Sequence, residues 1–156
     1  MMNSRGAWER RGACIGWVLA AALGPMTGCG EPWSDYHWTA SSSAFGLPKS
    51  GTLKRRGQHG LLFHTTEEAK PWVVVDMLEN RTVRRISVEN RLDCCQDRGL
   101  PLIAELGTES GAYVEVGRRT TPFDTWEIGM LPTRGRYVRL RADRNTFLHL
   151  RAIAIQ

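Results

Sequence analysis

From Tyr36 onward the chain consists of short runs in which apolar and polar residues alternate, separated by turn residues, and no stretch sustains helical spacing. Pro71 opens the run Trp72 to Met77, whose continuous valines predict a buried strand. Val83 to Asn90 follows, with Ile86 and Val88 on one face. Leu100, Leu102, Ala104 and Leu106 alternate, as do Val114 and Val116, then Trp126, Ile128 and Met130, then Val138, Leu140 and Ala142. Each run offers one face to a core. In the last run Leu148 and Leu150 keep one phase and Ile153 and Ile155 the other, which predicts a bulge near Arg151. Tyr36 to Phe63, rich in glycine, serine and basic residues, reads as an early strand followed by long loops. The sequon Asn80-Arg81-Thr82 reads as a turn between strands. About seven or eight strands in about 120 residues predict an all-β fold, a sandwich or barrel around one core.

The N-terminus has a different character. Arg5, Arg10 and Arg11 precede the apolar run Ala13 to Leu23, long enough for the core of an export signal and too short to span a bilayer. That run leads to Met26-Thr27-Gly28-Cys29, which has the form of a bacterial lipobox with methionine where leucine is usual. An ordinary signal peptide with an incidental cysteine is the alternative. The flanks of Arg10-Arg11 do not support a twin-arginine signal. The expected organisation is a lipoprotein signal peptide over residues 1–28, a lipid-anchored linker over 29–35 and one domain over 36–156. The expected location is the bacterial cell envelope, exported and held to a membrane through lipid on Cys29, facing periplasm or surface.

Charge and cysteine usage fit this organisation. The formal charge is +5, of which the signal supplies +2, leaving a weakly basic body that gives little support for a nucleic-acid partner. Lysine occurs only at Lys49, Lys54 and Lys70, so the positive charge is nearly all arginine, whose planar fork donates several hydrogen bonds at once. Cys14 leaves with the signal, Cys29 has no partner in the exported chain, and Cys94 and Cys95 are adjacent. Acylation accounts for the odd cysteine, and an oxidising compartment lets Cys94 pair with Cys95.

Enzyme signatures are missing. The sequence holds no G-x-S-x-G elbow, phosphate loop, H-E-x-x-H, C-x-x-C or dinucleotide glycine pattern. His37, His59, His64 and His149 have no metal-binding spacing, and Glu67-Glu68 reads as a solvated loop. The stretch Asn90 to Arg98 is the informative one. A bond between adjacent cysteines closes almost no loop, so it adds little chain-entropy stabilisation and fits a local role, fixing the loop and presenting a small rigid apolar surface. Arg91 and Arg98 flank it and can both direct donors at whatever rests there. An apolar ledge bordered by fixed donors suits a sugar, with its apolar ring face and rim of hydroxyls.

These residues resemble the F-type lectins, or fucolectins, of the discoidin-like superfamily. The family carries a histidine, then an arginine-led loop with Asp-Cys-Cys, an acid and a second arginine. Here stand His64, then residues 65–90, then Arg91, Asp93, Cys94, Cys95, Asp97 and Arg98 in that order and spacing. His64-Thr65-Thr66-Glu67 and Pro71 to Asp76 are similar to the family's opening strands, and the likeness runs on through Tyr137 to Leu140, covering Trp38 to Gln156. The resemblance implies an antiparallel, jelly-roll-like discoidin (galactose-binding-like) sandwich. It also implies that His64, Arg91 and Arg98 donate hydrogen bonds to a fucose-like sugar, that the Cys94–Cys95 ring packs on the sugar's apolar edge, and that Asp93 braces an arginine.

Two departures qualify the likeness. The family's longer-range disulfides have no cysteines to form them, and the family's pocket for the sugar methyl cannot be carried over because residues 51–60 diverge. The structural calcium common in the family is not expected either. No acid occurs between Asp35 and Glu67, while Lys49, Lys54, Arg55 and Arg56 do, and calcium needs several oxygen ligands with net negative charge. The expected partners are therefore fucose-like glycans and a membrane, with no cofactor, metal or nucleic acid. Two other readings stay open: a discoidin-like module that binds a protein or another envelope component, and an enzyme without a recognisable motif.

Overall fold

A computed structural model of the chain describes residues 35–53 and 60–156. Residues 1–34, with the expected signal peptide, Cys29 and most of the expected linker, lie outside the described residues, as do Lys54, Arg55, Arg56 and His59. Among the described residues there is no α-helix, and eleven strands form: β1 (His37–Ala40), β2 (Ser50–Thr52), β3 (Phe63–His64), β4 (Glu68–Ala69), β5 (Trp72–Glu89), β6 (Leu102–Glu109), β7 (Ala112–Arg119), β8 (Thr125–Ala142), β9 (Asn145–Thr146), β10 (His149–Leu150) and β11 (Ala152–Ile155). All pairings are antiparallel, and the large sheet runs β2-β1-β5-β8-β6-β7, with β11 also on β5. This is the expected discoidin-like β-sandwich.

The two long strands make it a sandwich. The first half of β5 pairs with β1 and the second half of β8, while the second half of β5 pairs with β11 and the first half of β8. Val73 and Val75 from one half of β5, and Ile86 and Val88 from the other, are all completely buried in one cluster with Phe63, Val138, Leu140 and Leu150. Each such side chain contributes about 1.5–3 kcal/mol of burial. The valine run is buried on one face only, because Val74 stays half-exposed on the outer side of the sheet.

Asn80-Arg81-Thr82 is not a turn. It lies inside β5, where the five steps from Asp76 to Arg81 face only two on β8, from Tyr137 to Gly135. Leu78 absorbs the excess with a left-handed backbone (φ 70°), and the Asp76 carboxylate accepts its N–H at 2.8 Å. Arg136 holds the same carboxylate through two bonds of 2.8 and 2.9 Å. The surplus residues are thus stored in a bulge, and the chain continues forward instead of reversing.

Two further expectations are refined. The change of phase around Arg151 is a change of sheet, since β10 pairs with β3 whereas β11 pairs with β5. Val114 does not share a buried face with Val116. It is 71% exposed on β7, the outermost strand of the large sheet, where no further strand among the described residues covers it, and of the two only Val116 packs against the core.

Candidate functional site

Three loops meet at the short pairs β3–β10 and β4–β9. The first follows β1. Ala44 donates its N–H to the His64 carbonyl at 2.8 Å, and Ser42 Oγ accepts the Thr66 N–H at 2.9 Å, so this loop is fastened beside β3. Glu68 takes part here by accepting from the hydroxyls of Ser41 and Ser42 at 2.5 and 2.7 Å. Phe45 and Gly46 both adopt positive φ (58° and 69°), and Phe45 remains 78% exposed with its ring edge-on to His64 at 4.9 Å. A bulky residue rarely takes that backbone conformation, and strain of this kind collects at ligand-contacting segments.

The second loop carries the cysteines. Buried Asn90 builds it, accepting the Arg91 N–H at 2.9 Å and donating to the Gln96 carbonyl at 3.1 Å, while Gln96 Nε2 donates to the Arg91 carbonyl and to Asp124. Within this frame Cys94 and Cys95 are bonded to each other, and Cys95 is left-handed (φ 61°). Arg91, whose side chain is only 16% exposed, grips Asp93 through Nε at 2.8 Å and Nη2 at 2.5 Å. That pair raises the Arg91 pKa and holds the Asp93 carboxyl well below the usual carboxylate range, in both cases chiefly through the shared hydrogen bonds. Asp93 thus braces Arg91.

The third loop, Asp143 to Leu148, locks the second in place. Thr146 Oγ1 donates to the Arg98 carbonyl at 2.6 Å, and Arg144 Nη2 donates to the carbonyls of Asp97 and Arg98 at 3.0 and 3.1 Å. Phe147 then joins the parts. Its ring lies 5.8 Å from the His64 ring, and the exposed Arg98 guanidinium stands over it at 5.6 Å.

His64 is 3% exposed and sits opposite His149 across β3 and β10, with ring centroids 5.1 Å apart. Its pKa is lowered by burial first, and the positive charges of Arg91 and Arg98 lower it further. Both arginines therefore act on the one imidazole. The Nδ1 atom lies 2.7 Å from the Thr65 carbonyl, which can only accept, so Nδ1 carries the proton. In the neutral ring Nε2 is then an acceptor. A neutral His64 held this way would offer an acceptor where the sequence led us to expect a donor.

Arg91 and Arg98 thus both lie near His64, with Cys94 and Cys95 on the loop between the two arginines and Asp93 bonded to Arg91. Phe45, Phe147 and His149 also belong to the cluster, and the sequence reading missed them. His149 is 1% exposed with neither ring nitrogen bonded to a protein group, and its pKa is lowered to about 4, by burial first and then by His64, Arg91 and Arg98. Its one sequence signal is a polar residue between Leu148 and Leu150 in a run otherwise destined for the core. The arrangement offers cationic donors, one acceptor and aromatic and disulfide surfaces, a set matched to a ligand with several hydroxyls and an apolar face.

A family model described as the NedA-like, galactose-binding domain matches residues 57–140. The chain belongs to that family. Within the discoidin-like superfamily its likeness is to the F-type lectins. Fucolectin-6 of Anguilla japonica is 30% identical over 96 residues, which cover 59% of this chain and 52% of the relative, so the chain spans about half the length of that protein. Among solved structures, the fucose binding module SpX-3 of Streptococcus pneumoniae superposes with a TM-score of 0.69 at 14% identity, covering 81% of this chain and 97% of the module. The lectin domain of Lectinolysin, solved with Lewis B antigen, superposes with a TM-score of 0.64 at 22% identity, covering 82% and 96%. Each of these three proteins carries sugar binding in its name or in the ligand of its structure.

Proposed function

We propose that this member of the NedA-like, galactose-binding domain family is a non-catalytic lectin. It binds a terminal fucose-like sugar between His64, Arg91 and Arg98, and a lipid on Cys29 holds it to the bacterial envelope. The observation that carries the reading is the convergence of the three side chains: Phe147 touches both His64 and Arg98, and the charges of Arg91 and Arg98 both bear on His64. The site's polarity pattern supports a neutral sugar. Asp93 compensates Arg91, His64 is neutral at ordinary pH, and the surfaces around them are aromatic or sulfur.

In this reading the arginines donate to sugar oxygens, and His64 Nε2 accepts from a hydroxyl, so one hydroxyl that both gives and receives a proton can be read from two sides. Phe45 and the Cys94–Cys95 ring provide apolar contact for the ring edge and its methyl group. The lipid anchor rests on the lipobox alone. Display of many copies on a membrane would turn a weak single site into avid capture.

A glycan array probed with the wild-type chain and with Arg98→Ala tests the proposal. Wild type should mark fucosylated glycans, and the variant should lose those signals. A folded wild type that marks no glycan refutes it and favours a discoidin-like module that binds a protein.

A further inference from the structure

A second cleft lies on the outer face of the large sheet and shares no side chain with the loop site. Its floor is set by register. His37 on β1, Asp76 on β5 and Tyr137 on β8 stand side by side, and Trp72 lies on the same face of β5. Its far wall is the β6–β7 hairpin, which brings Tyr113 and the turn at Ser110 over the sheet. Gly107 permits this approach, because a Cβ there would lie 2.3 Å from the Ala112 carbonyl oxygen and 3.1 Å from the Tyr113 ring. The cleft is open to solvent on one side and has a volume of about 580 Å³, comparable to pockets that take drug-sized ligands.

The chemistry of this cleft is unusual for an outer sheet face. Three aromatic rings, Trp72, Tyr113 and Tyr137, line it together. Its carboxylate and its guanidinium are already matched: Asp76 holds Arg136 through two bonds, while Arg139 bonds Glu105 at 2.5 Å and lies 4.1 Å from the Tyr113 ring centroid. Asp76 is stabilised as the anion mainly by that hydrogen bonding. A charged ligand would have to compete with these partners. A neutral one with apolar faces and hydroxyl edges would not, since the rings can stack on it and the fixed polar groups have lone pairs and N–H groups to share.

We infer that this cleft is a second carbohydrate site, which takes a stretch of a neutral oligosaccharide longer than a single sugar. It is independent of the loop site, and a chain with both could bridge two glycans or grip one branched glycan twice.

Amide and indole NMR of the ¹⁵N-labelled full chain, titrated separately with cellohexaose, mannohexaose, a heparin-derived hexasaccharide and L-fucose, tests this. At least one neutral hexasaccharide should shift His37, Trp72, Tyr113 and Tyr137, and should do so equally in Arg98→Ala. Tyr113→Ala, and Ser110→Trp in the exposed turn, should each weaken that binding by about tenfold or more, the loss of one stacked ring or a blocked wall. L-Fucose should shift the loop site alone. The inference is overturned if neither neutral hexasaccharide moves the cleft at millimolar concentration, if the acidic hexasaccharide binds it better, or if the cleft shifts vanish in Arg98→Ala. Failure of the lectin proposal looks different, because L-fucose would then leave His64 and Arg98 unmoved whatever happens in the cleft.

Discussion

Acidification should weaken the fold through the histidine pair beneath the site. His149 is fully buried without a hydrogen-bond partner among the described residues, and its pKa of about 4 in the folded chain contrasts with about 6.5 when unfolded. The folded value is the lower one, so between these limits the unfolded state binds the extra proton. The stabilisation is complete above pH 6.5 and is lost as the pH falls toward 4. The full gap corresponds to about 3 kcal/mol, of which about 2 kcal/mol is lost between pH 7 and pH 5. His64, lowered mainly by burial, adds to the loss in the same direction. For a domain of this size about 2 kcal/mol is about 8 °C in Tm. Urea unfolding at closely spaced pH from 7 to 5 isolates the histidines, because Asp76 and Glu105, also lowered, contribute mainly below pH 5. Wild type should lose stability steadily across this window, and His149→Phe, which keeps an aromatic ring in the same space, should lose distinctly less. A flat wild-type profile, or equal slopes in the two proteins, would refute the reasoning.

Replacing both Cys94 and Cys95 by serine should weaken sugar binding while leaving Tm nearly unchanged, since the bond closes almost no loop; a large drop in Tm with binding intact would reverse the assignment. Radiolabelled lipid should be incorporated by the full-length chain in a bacterium and not by Cys29→Ser, and equal labelling of both would dismiss the anchor. Calcium should leave Tm where it is, because the early segment lacks carboxylates; a chelator-reversible rise would show a native-state calcium site.

Much of the fold was legible because one face of each strand is buried, so the alternation of Val73, Val75 and Met77, or of Val138, Leu140 and Ala142, records the core directly. What alternation cannot record is how strands join. A bulge at Leu78 and a true turn both interrupt the pattern, which is why the stretch around Asn80 reads the same either way. The shift of phase at Arg151 was visible, but its cause, a passage from one sheet to another, depends on pairing partners far away in sequence. At the site, the linear spacing of Arg91, Asp93, Cys94, Cys95 and Arg98 carried the information because one loop holds them all. Phe45, Phe147 and His149 come from other segments and meet His64 only after folding, so nothing local ties them to the site, although His149 does stand out as a polar residue between Leu148 and Leu150. The hydrogen-bonding character of the His64 ring also needed coordinates, since only the Thr65 carbonyl decides which nitrogen keeps the proton.

Calorimetry of L-fucose and D-glucose against wild type and Arg98→Ala tests the central claim most directly. If Arg98 gives a charge-assisted hydrogen bond to the sugar, its loss costs about 1.5–3 kcal/mol, or roughly ten- to a hundred-and-fifty-fold in affinity. Arg98→Lys, which keeps the charge without the planar fork, should restore little of it. The account predicts that wild type binds L-fucose in preference to D-glucose and that Arg98→Ala loses nearly all of that binding while remaining folded. A wild type without preference for fucose, or an Arg98→Ala variant that binds it undiminished, would contradict the account.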